Sequence, residues 1–124
     1  MTEYLIAFID EWVPDLTDED LREASRAVSA LRAEMKAAGV LIFTGGLDDA
    51  APVFSADASN GKPLITDGPF VETKEHLGGF AVVDVADEEA ARLWAGKIAV
   101  ACGWPQEVRR FRYATTGEPP PETP

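Results

Sequence analysis

The run Tyr4-Leu5-Ile6-Ala7-Phe8-Ile9 is apolar at every position. A strand with one face in water alternates apolar and polar residues, so this run predicts a strand covered on both faces. The period then changes. Leu21, Ala24, Val28, Leu31, Met35 and Ala38 recur every three or four residues, the spacing of an amphipathic helix. Leu16-Thr17-Asp18-Glu19-Asp20-Leu21 marks its start, with Thr17 as N-cap, acidic residues on the positive end of the helix dipole and Leu16 stapled to Leu21. Gly39 supplies the C-terminal cap. Val40 to Leu47 predicts a second strand, and Pro52 to Asp57 with Lys62 to Thr66 a short hairpin closed around Ser59-Asn60-Gly61. Gly79 to Val85 reads as another apolar strand. Asp87 caps a second helix carrying Ala90, Leu93, Trp94, Ile98 and Ala101, Gly103 ends it, and Glu107 to Tyr113 makes the last strand.

The order β-α-β, hairpin insertion, β-α-β is the split βαβ arrangement of a ferredoxin-like α+β domain. Its two helices cover one face of the sheet. A first strand that is apolar on both faces therefore asks for a second cover, and the sheet of a second subunit is the simplest supply, which predicts a homodimer. The domain is expected over residues 1–113. Residues 114–124 form a proline-rich segment whose stretch Thr115 to Pro124 holds four prolines and almost nothing apolar, and it is expected to be a mobile tail.

Composition narrows the partners. With 124 residues the chain fits one domain, and 22 Asp and Glu against 11 Lys and Arg give a formal net charge of −11. That field repels nucleic acid and anionic lipid. No apolar run approaches the roughly 20 residues needed to cross a bilayer, so neither nucleic acid nor a membrane is an expected partner. The single cysteine, Cys102, cannot form an internal disulfide, and the N-terminal sequence lacks a signal-peptide pattern, so a cytoplasmic, reduced setting is expected.

The densest chemistry lies in Thr66-Asp67-Gly68-Pro69-Phe70-Val71-Glu72-Thr73-Lys74-Glu75, followed by Gly78-Gly79-Phe80. Asp-Gly-Pro bends a chain tightly: Gly tolerates positive φ, Pro fixes φ, and the Asp side chain accepts hydrogen bonds from backbone amides just ahead. Such a turn holds Phe70, Glu72 and Lys74 in a fixed array. This decamer resembles the DGPF-type branch of the YCII-related family, which takes its name from Asp67-Gly68-Pro69-Phe70. Gly45-Gly46-Leu47, Gly61-Lys62-Pro63-Leu64-Ile65 and Glu107-Val108-Arg109 add to the likeness, which spans roughly Tyr4 to Arg112. The resemblance implies a ferredoxin-like domain that pairs into a dimeric α+β barrel. It implies no assigned activity. The wider family is associated with a His-Asp pair, from which this chain departs. His76 stands where DGPF-type relatives often carry another polar residue, and Arg110 where a proline is usual.

Asp67 is the catalytic candidate: either a carboxylate on a rigid turn that takes a proton or orients a substrate, or a cap for its own turn. His76, the only histidine, suits proton transfer by its ordinary pKa, or is a solvated side chain before a Gly-Gly turn. Glu72, Lys74 and Glu75 form a charged rim or an exposed ion pair. Thr66 and Thr73 donate hydroxyls to a ligand or satisfy local backbone. Trp12 is a candidate pocket wall, whereas Trp94 and Cys102 read as core, the latter an inert thiol. Arg109, Arg110 and Arg112 are expected to pair with surplus carboxylates. One His and one Cys build no usual structural zinc site, Asp48-Asp49 alone is a weak cation signal, and the glycine pairs match neither the P-loop nor the dinucleotide fingerprint, so no metal or cofactor is expected. Together these residues suggest a protein that binds a small polar organic molecule, or an acid-base enzyme of isomerase or lyase type, with ligand contacts from Trp12, Thr66, Phe70, Glu72, Lys74 and His76. The alternative is a noncatalytic dimeric regulatory module, since DGPF-type domains look similar to segments associated with extracytoplasmic-function sigma factors.

Overall fold

In a computed structural model, which describes residues 2–59, 61–68 and 75–112, the chain runs β1 (Thr2–Ile9), α1 (Asp18–Ala37), β2 (Leu41–Gly46), β3 (Phe54–Ser59), β4 (Lys62–Asp67), β5 (Leu77–Val85), α2 (Glu88–Cys102) and β6 (Glu107–Arg110). Four strands make one antiparallel sheet in the order β2-β5-β1-β6, and β3 pairs with β4 as a separate two-stranded hairpin. This is the ferredoxin-like α+β fold. Pro69, Phe70, Glu72, Thr73, Lys74 and the proline-rich C-terminal segment lie outside the described residues.

The caps form where the local sequence places them. The Thr17 hydroxyl accepts a hydrogen bond from the Asp20 amide at 3.0 Å, and the Asp20 carboxylate accepts one from the Thr17 amide at 3.1 Å. This reciprocal box satisfies two of the amides that the start of a helix leaves open. Asp87 likewise accepts from the Ala90 amide at 2.8 Å to start α2, and Gly103 ends it.

Both helices lie on one face of the sheet. There Tyr4 and Ile6 of β1, Ala81, Val83 and Val85 of β5, Leu31 and Met35 of α1, and Ala91, Ile98 and Cys102 of α2 form the core. The alternation of β1 and β5 sends Leu5, Ala7, Phe80 and Val82 to the other face. Phe43 joins them from β2, opposite Val82, and its ring sits 5.7 Å from that of Phe80. Among the described residues no helix covers this second face.

Two apolar stripes differ from the sequence expectation. On α2, Leu93 is 58% exposed, and the buried positions are Ala91, Ile98 and Cys102, on the opposite side of the helix. On α1, Leu31 and Met35 are buried, but Leu21 is 48% exposed and Ala24 and Val28 only half-buried. The first half of α1 thus stands off the sheet. The three C-terminal arginines also depart from expectation: among the described residues Arg109, Arg110 and Arg112 make no ion pair. The register puts Arg109 opposite Leu5 and Arg110 opposite Tyr4, on opposite faces of an edge strand.

Candidate functional site

Where α1 stands off the sheet it leaves a cavity of about 490 Å³. Its walls come from Phe8 and Ile9 at the end of β1, from Leu21, Ala24 and Val28 of α1, and from Cys102, the last residue of α2, and Trp104 just after it. Polar groups are few: Asp10, Ser25, Arg32 and Thr44. A mostly apolar hollow of this size with a small number of polar groups is the usual form of a small-molecule pocket.

The strand ends explain how the opening forms. β1 and β5 stay in step until Phe8 faces Gly79, then Ile9 faces Leu77, so Gly78 is an extra residue in the ladder. A bulge of this kind bends a strand and is common next to binding sites. A side chain at Gly78 would collide with the Asp10 carboxylate, and one at Gly79 would lie 2.6 Å from the Gly45 carbonyl oxygen. Gly79 is therefore required by close approach of the β2 and β5 backbones and Gly78 by the passage of Asp10, whereas a side chain at Gly45 would meet only the Phe43 ring and one at Gly46 would make ordinary contact. Leu47 donates its amide to the Gly78 carbonyl at 2.8 Å, and Thr44 its hydroxyl to the Phe80 carbonyl at 3.2 Å, which fixes this corner. At the α2 end, the Gln106 side-chain amide donates to the Trp104 carbonyl at 2.7 Å and to the Cys102 sulfur at 2.9 Å. Cys102 is a buried thiol in the cavity wall.

His76 is tied to the same corner from outside. Its ring Nδ1 lies 2.9 Å from Glu11 Oε2, its amide donates to the other Glu11 oxygen, and its carbonyl accepts from the Asp10 amide at 2.9 Å. The Glu11 carboxyl is held below its ordinary value, first by the hydrogen bond from the His76 ring and then by the one from its backbone. Both side chains stay substantially exposed. Sequence reasoning singled out His76 but not Glu11, because 65 residues separate them and no local signal joins them.

Asp67 and Thr66 sit elsewhere. Asp67 is the last residue of β4, exposed and opposite Phe54, and Thr66 faces Ser55 on the other side of the hairpin. Gly68 follows with φ of 89°, the positive value that the Asp-Gly-Pro bend demands. Its amide donates to Val53 and its carbonyl accepts from the Ser55 hydroxyl at 2.6 Å, so the base of the hairpin is closed. Neither Asp67 nor Thr66 lines the cavity, and Phe70, Glu72 and Lys74 fall outside the described residues. Trp12 is half-buried in the short 3-10 turn after β1 and is not among the lining residues; the tryptophan in the wall is Trp104. Among the described residues no group of three or more His, Cys, Asp or Glu side chains is placed to hold a metal.

The model of the YCII-related domain matches residues 5–104. The chain belongs to the YCII-related family. No curated protein matches it. In this YCII-related domain the matched span runs from β1 to Trp104 and so takes in every residue that lines the cavity. Among its described residues no helix is long and apolar enough to cross a membrane.

Proposed function

We propose that the protein binds a small organic molecule in the cavity between α1 and the sheet. The observation that carries this reading is the cavity itself, about 490 Å³ and walled mainly by apolar side chains at the corner where β1 ends and β5 bulges. An apolar hollow left beneath half of an amphipathic helix sacrifices burial that the sequence could otherwise have had, and a ligand restores it. The direct test is a neutral, apolar fluorescent reporter, N-phenyl-1-naphthylamine. It binds one per chain, and Ala24→Phe, which fills the cavity from α1, abolishes the binding without unfolding the protein. Reporter binding that is absent, or unaffected by the substitution, refutes the reading.

Acid-base chemistry of the isomerase or lyase kind, with Asp67 as its carboxylate, is the catalytic form of the proposal. Its support is the turn geometry at Gly68, which presents the Asp67 side chain to solvent at the head of the polar motif. Once a turnover is found, Asp67→Asn lowers it by about 100-fold if the carboxylate is a general base. An unchanged rate removes that role.

We further propose that the protein pairs with a second copy through the helix-free face of the sheet, where Leu5, Phe43, Phe80 and Val82 are gathered. At roughly 25 cal/mol per Å², a few hundred Å² of apolar surface covered there stabilises pairing by several kcal/mol before the costs of association. One observation favours the second reading, a noncatalytic dimeric interaction module: the β3-β4 hairpin shows Phe54 and Ile65 on one face, 66% and 59% exposed. A partner that covers the hairpin without any ligand in the cavity supports the module.

A further inference from the structure

Resting on the cavity reading above, we infer that the ligand is an apolar carboxylic acid carrying a hydrogen-bond donor at its opposite end, held between Arg32 and Asp10.

The two charged residues in the cavity lining have opposite signs and lie towards opposite ends of it. Asp10 directly follows β1, level with Gly46 and Gly78 at the edge of the sheet from which the chain enters α1. Ser25 is on the second turn of α1, and Arg32 lies seven residues further along, about 10 Å down the axis at 1.5 Å per residue, towards Met35 and Leu41. Between them the wall is Phe8, Val28, Ala81 and Ile98.

Both groups are available to a ligand. Arg22, Arg26, Arg92 and Lys97 each pair with a glutamate, as expected in so acidic a chain. Arg32 makes no ion pair among the described residues, nor does Lys36 one turn later, so two cations without a carboxylate partner stand at that end of the cavity in a chain of net charge −11. Glu34, the carboxylate between them in sequence, is engaged by Lys97 at 2.8 Å. A guanidinium beside an apolar wall fits a carboxylate by a forked pair of hydrogen bonds. At the other end the Asp10 carboxylate accepts no hydrogen bond among the described residues, while its backbone is fixed by the His76 carbonyl. A carboxylate is an acceptor only, so it selects a hydroxyl or ammonium donor. The bulged Gly78 leaves the room that its side chain occupies.

The test uses calorimetric titration of the full chain with 3-(4-hydroxyphenyl)propionate, its methyl ester, and 3-phenylpropionate. The acid binds about tenfold more tightly than the ester, the effect expected of a charge-assisted hydrogen bond. Arg32→Gln removes that difference, and Asp10→Asn removes the preference for the hydroxylated acid over 3-phenylpropionate. Both replaced side chains are exposed, and thermal melting checks that each variant stays folded. Equal affinity of acid and ester while the neutral reporter still binds and is blocked by Ala24→Phe overturns this inference and leaves the cavity reading intact. Loss of reporter binding in the unsubstituted protein overturns both.

Discussion

The ring Nδ1 of His76 lies 2.9 Å from Oε2 of Glu11, joining the turn after β1 to the residue just before β5. The two strands are neighbours in the sheet, and the cavity opens beside their shared end. Glu11 thus acts as a clasp on the segment that presents Asp10.

The pH response of this clasp follows from Glu11. Its carboxyl is more acidic in the folded chain than the ordinary glutamate value of 4.5, so the folded state holds fewer protons there than the unfolded chain. The stabilisation is complete above about pH 4.5 and is lost as the pH falls through the depressed value. A carboxyl-detected NMR titration should place the Glu11 midpoint below 4.5, and His76→Ala should move it back towards that figure. The backbone donor remains, so the return is partial. A midpoint that His76→Ala leaves unchanged contradicts the hydrogen bond from the ring.

Replacing Gly79 by alanine strikes the pairing of β2 with β5. The new methyl group meets the Gly45 carbonyl at 2.6 Å and the Gly46 Cα at 2.9 Å, both backbone atoms in a paired strand, which have nowhere to move. A loss of about 1–3 kcal/mol in urea denaturation is expected, the usual cost of overpacking. Gly78→Ala collides with the Asp10 side chain instead, which can swing away, so its cost to stability is smaller and its effect falls on ligand binding. Equal destabilisation by the two changes argues against this picture of the corner.

The two halves of α1 differ in what they contribute. Leu31 is 8% exposed and belongs to the core, so Leu31→Ala should cost about 2–4 kcal/mol. Leu21 is 48% exposed over the cavity, and Leu21→Ala should cost less than about 1 kcal/mol in the same denaturation experiment. Saturating ligand should raise the stability of the Leu21 protein but not of Leu21→Ala to the same degree, because only the former offers the ligand that wall.

This contrast also marks how far the sequence could be read. Period and caps were legible: Thr17, Asp87 and Gly103 act as their residue types predict, and the split β-α-β arrangement expected from the element order is the fold observed. The family was legible in the glycine pairs and the Asp67-Gly68 turn. The cavity was not, since periodicity says which side of α1 is apolar but not how closely that side approaches the sheet; Leu21 and Leu31 look alike in the pattern and differ in burial. Glu11 was hidden for a related reason, as its partner is distant in sequence. Arg32 was not singled out in the sequence, because its lack of a partner depends on which carboxylates the fold assigns to the other cations. The role expected of Trp12 as a pocket wall is open to the same reporter titration that tests the cavity.

Pairing of two copies is tested most sharply at Phe43. It is 55% exposed on the helix-free face, touches Phe80, and lies opposite Val82, which in turn lies opposite Leu5. A large aromatic in the middle of such a patch is the kind of residue that dominates an interface. Because it is already in contact with water in a single chain, Phe43→Glu removes little from the fold of that chain but places a charge where a partner's apolar surface would lie. Light scattering coupled to size exclusion should give a dimer for the unsubstituted protein at micromolar concentration and a monomer for Phe43→Glu, with far-ultraviolet circular dichroism unchanged. Leu93→Glu, an equally exposed apolar position on the outer surface of α2, is the matched control and should stay dimeric. A monomeric unsubstituted protein, or dissociation caused by Leu93→Glu and not by Phe43→Glu, would move the interface away from the sheet and leave the apolar character of both faces of β1 to be explained by contacts within one chain.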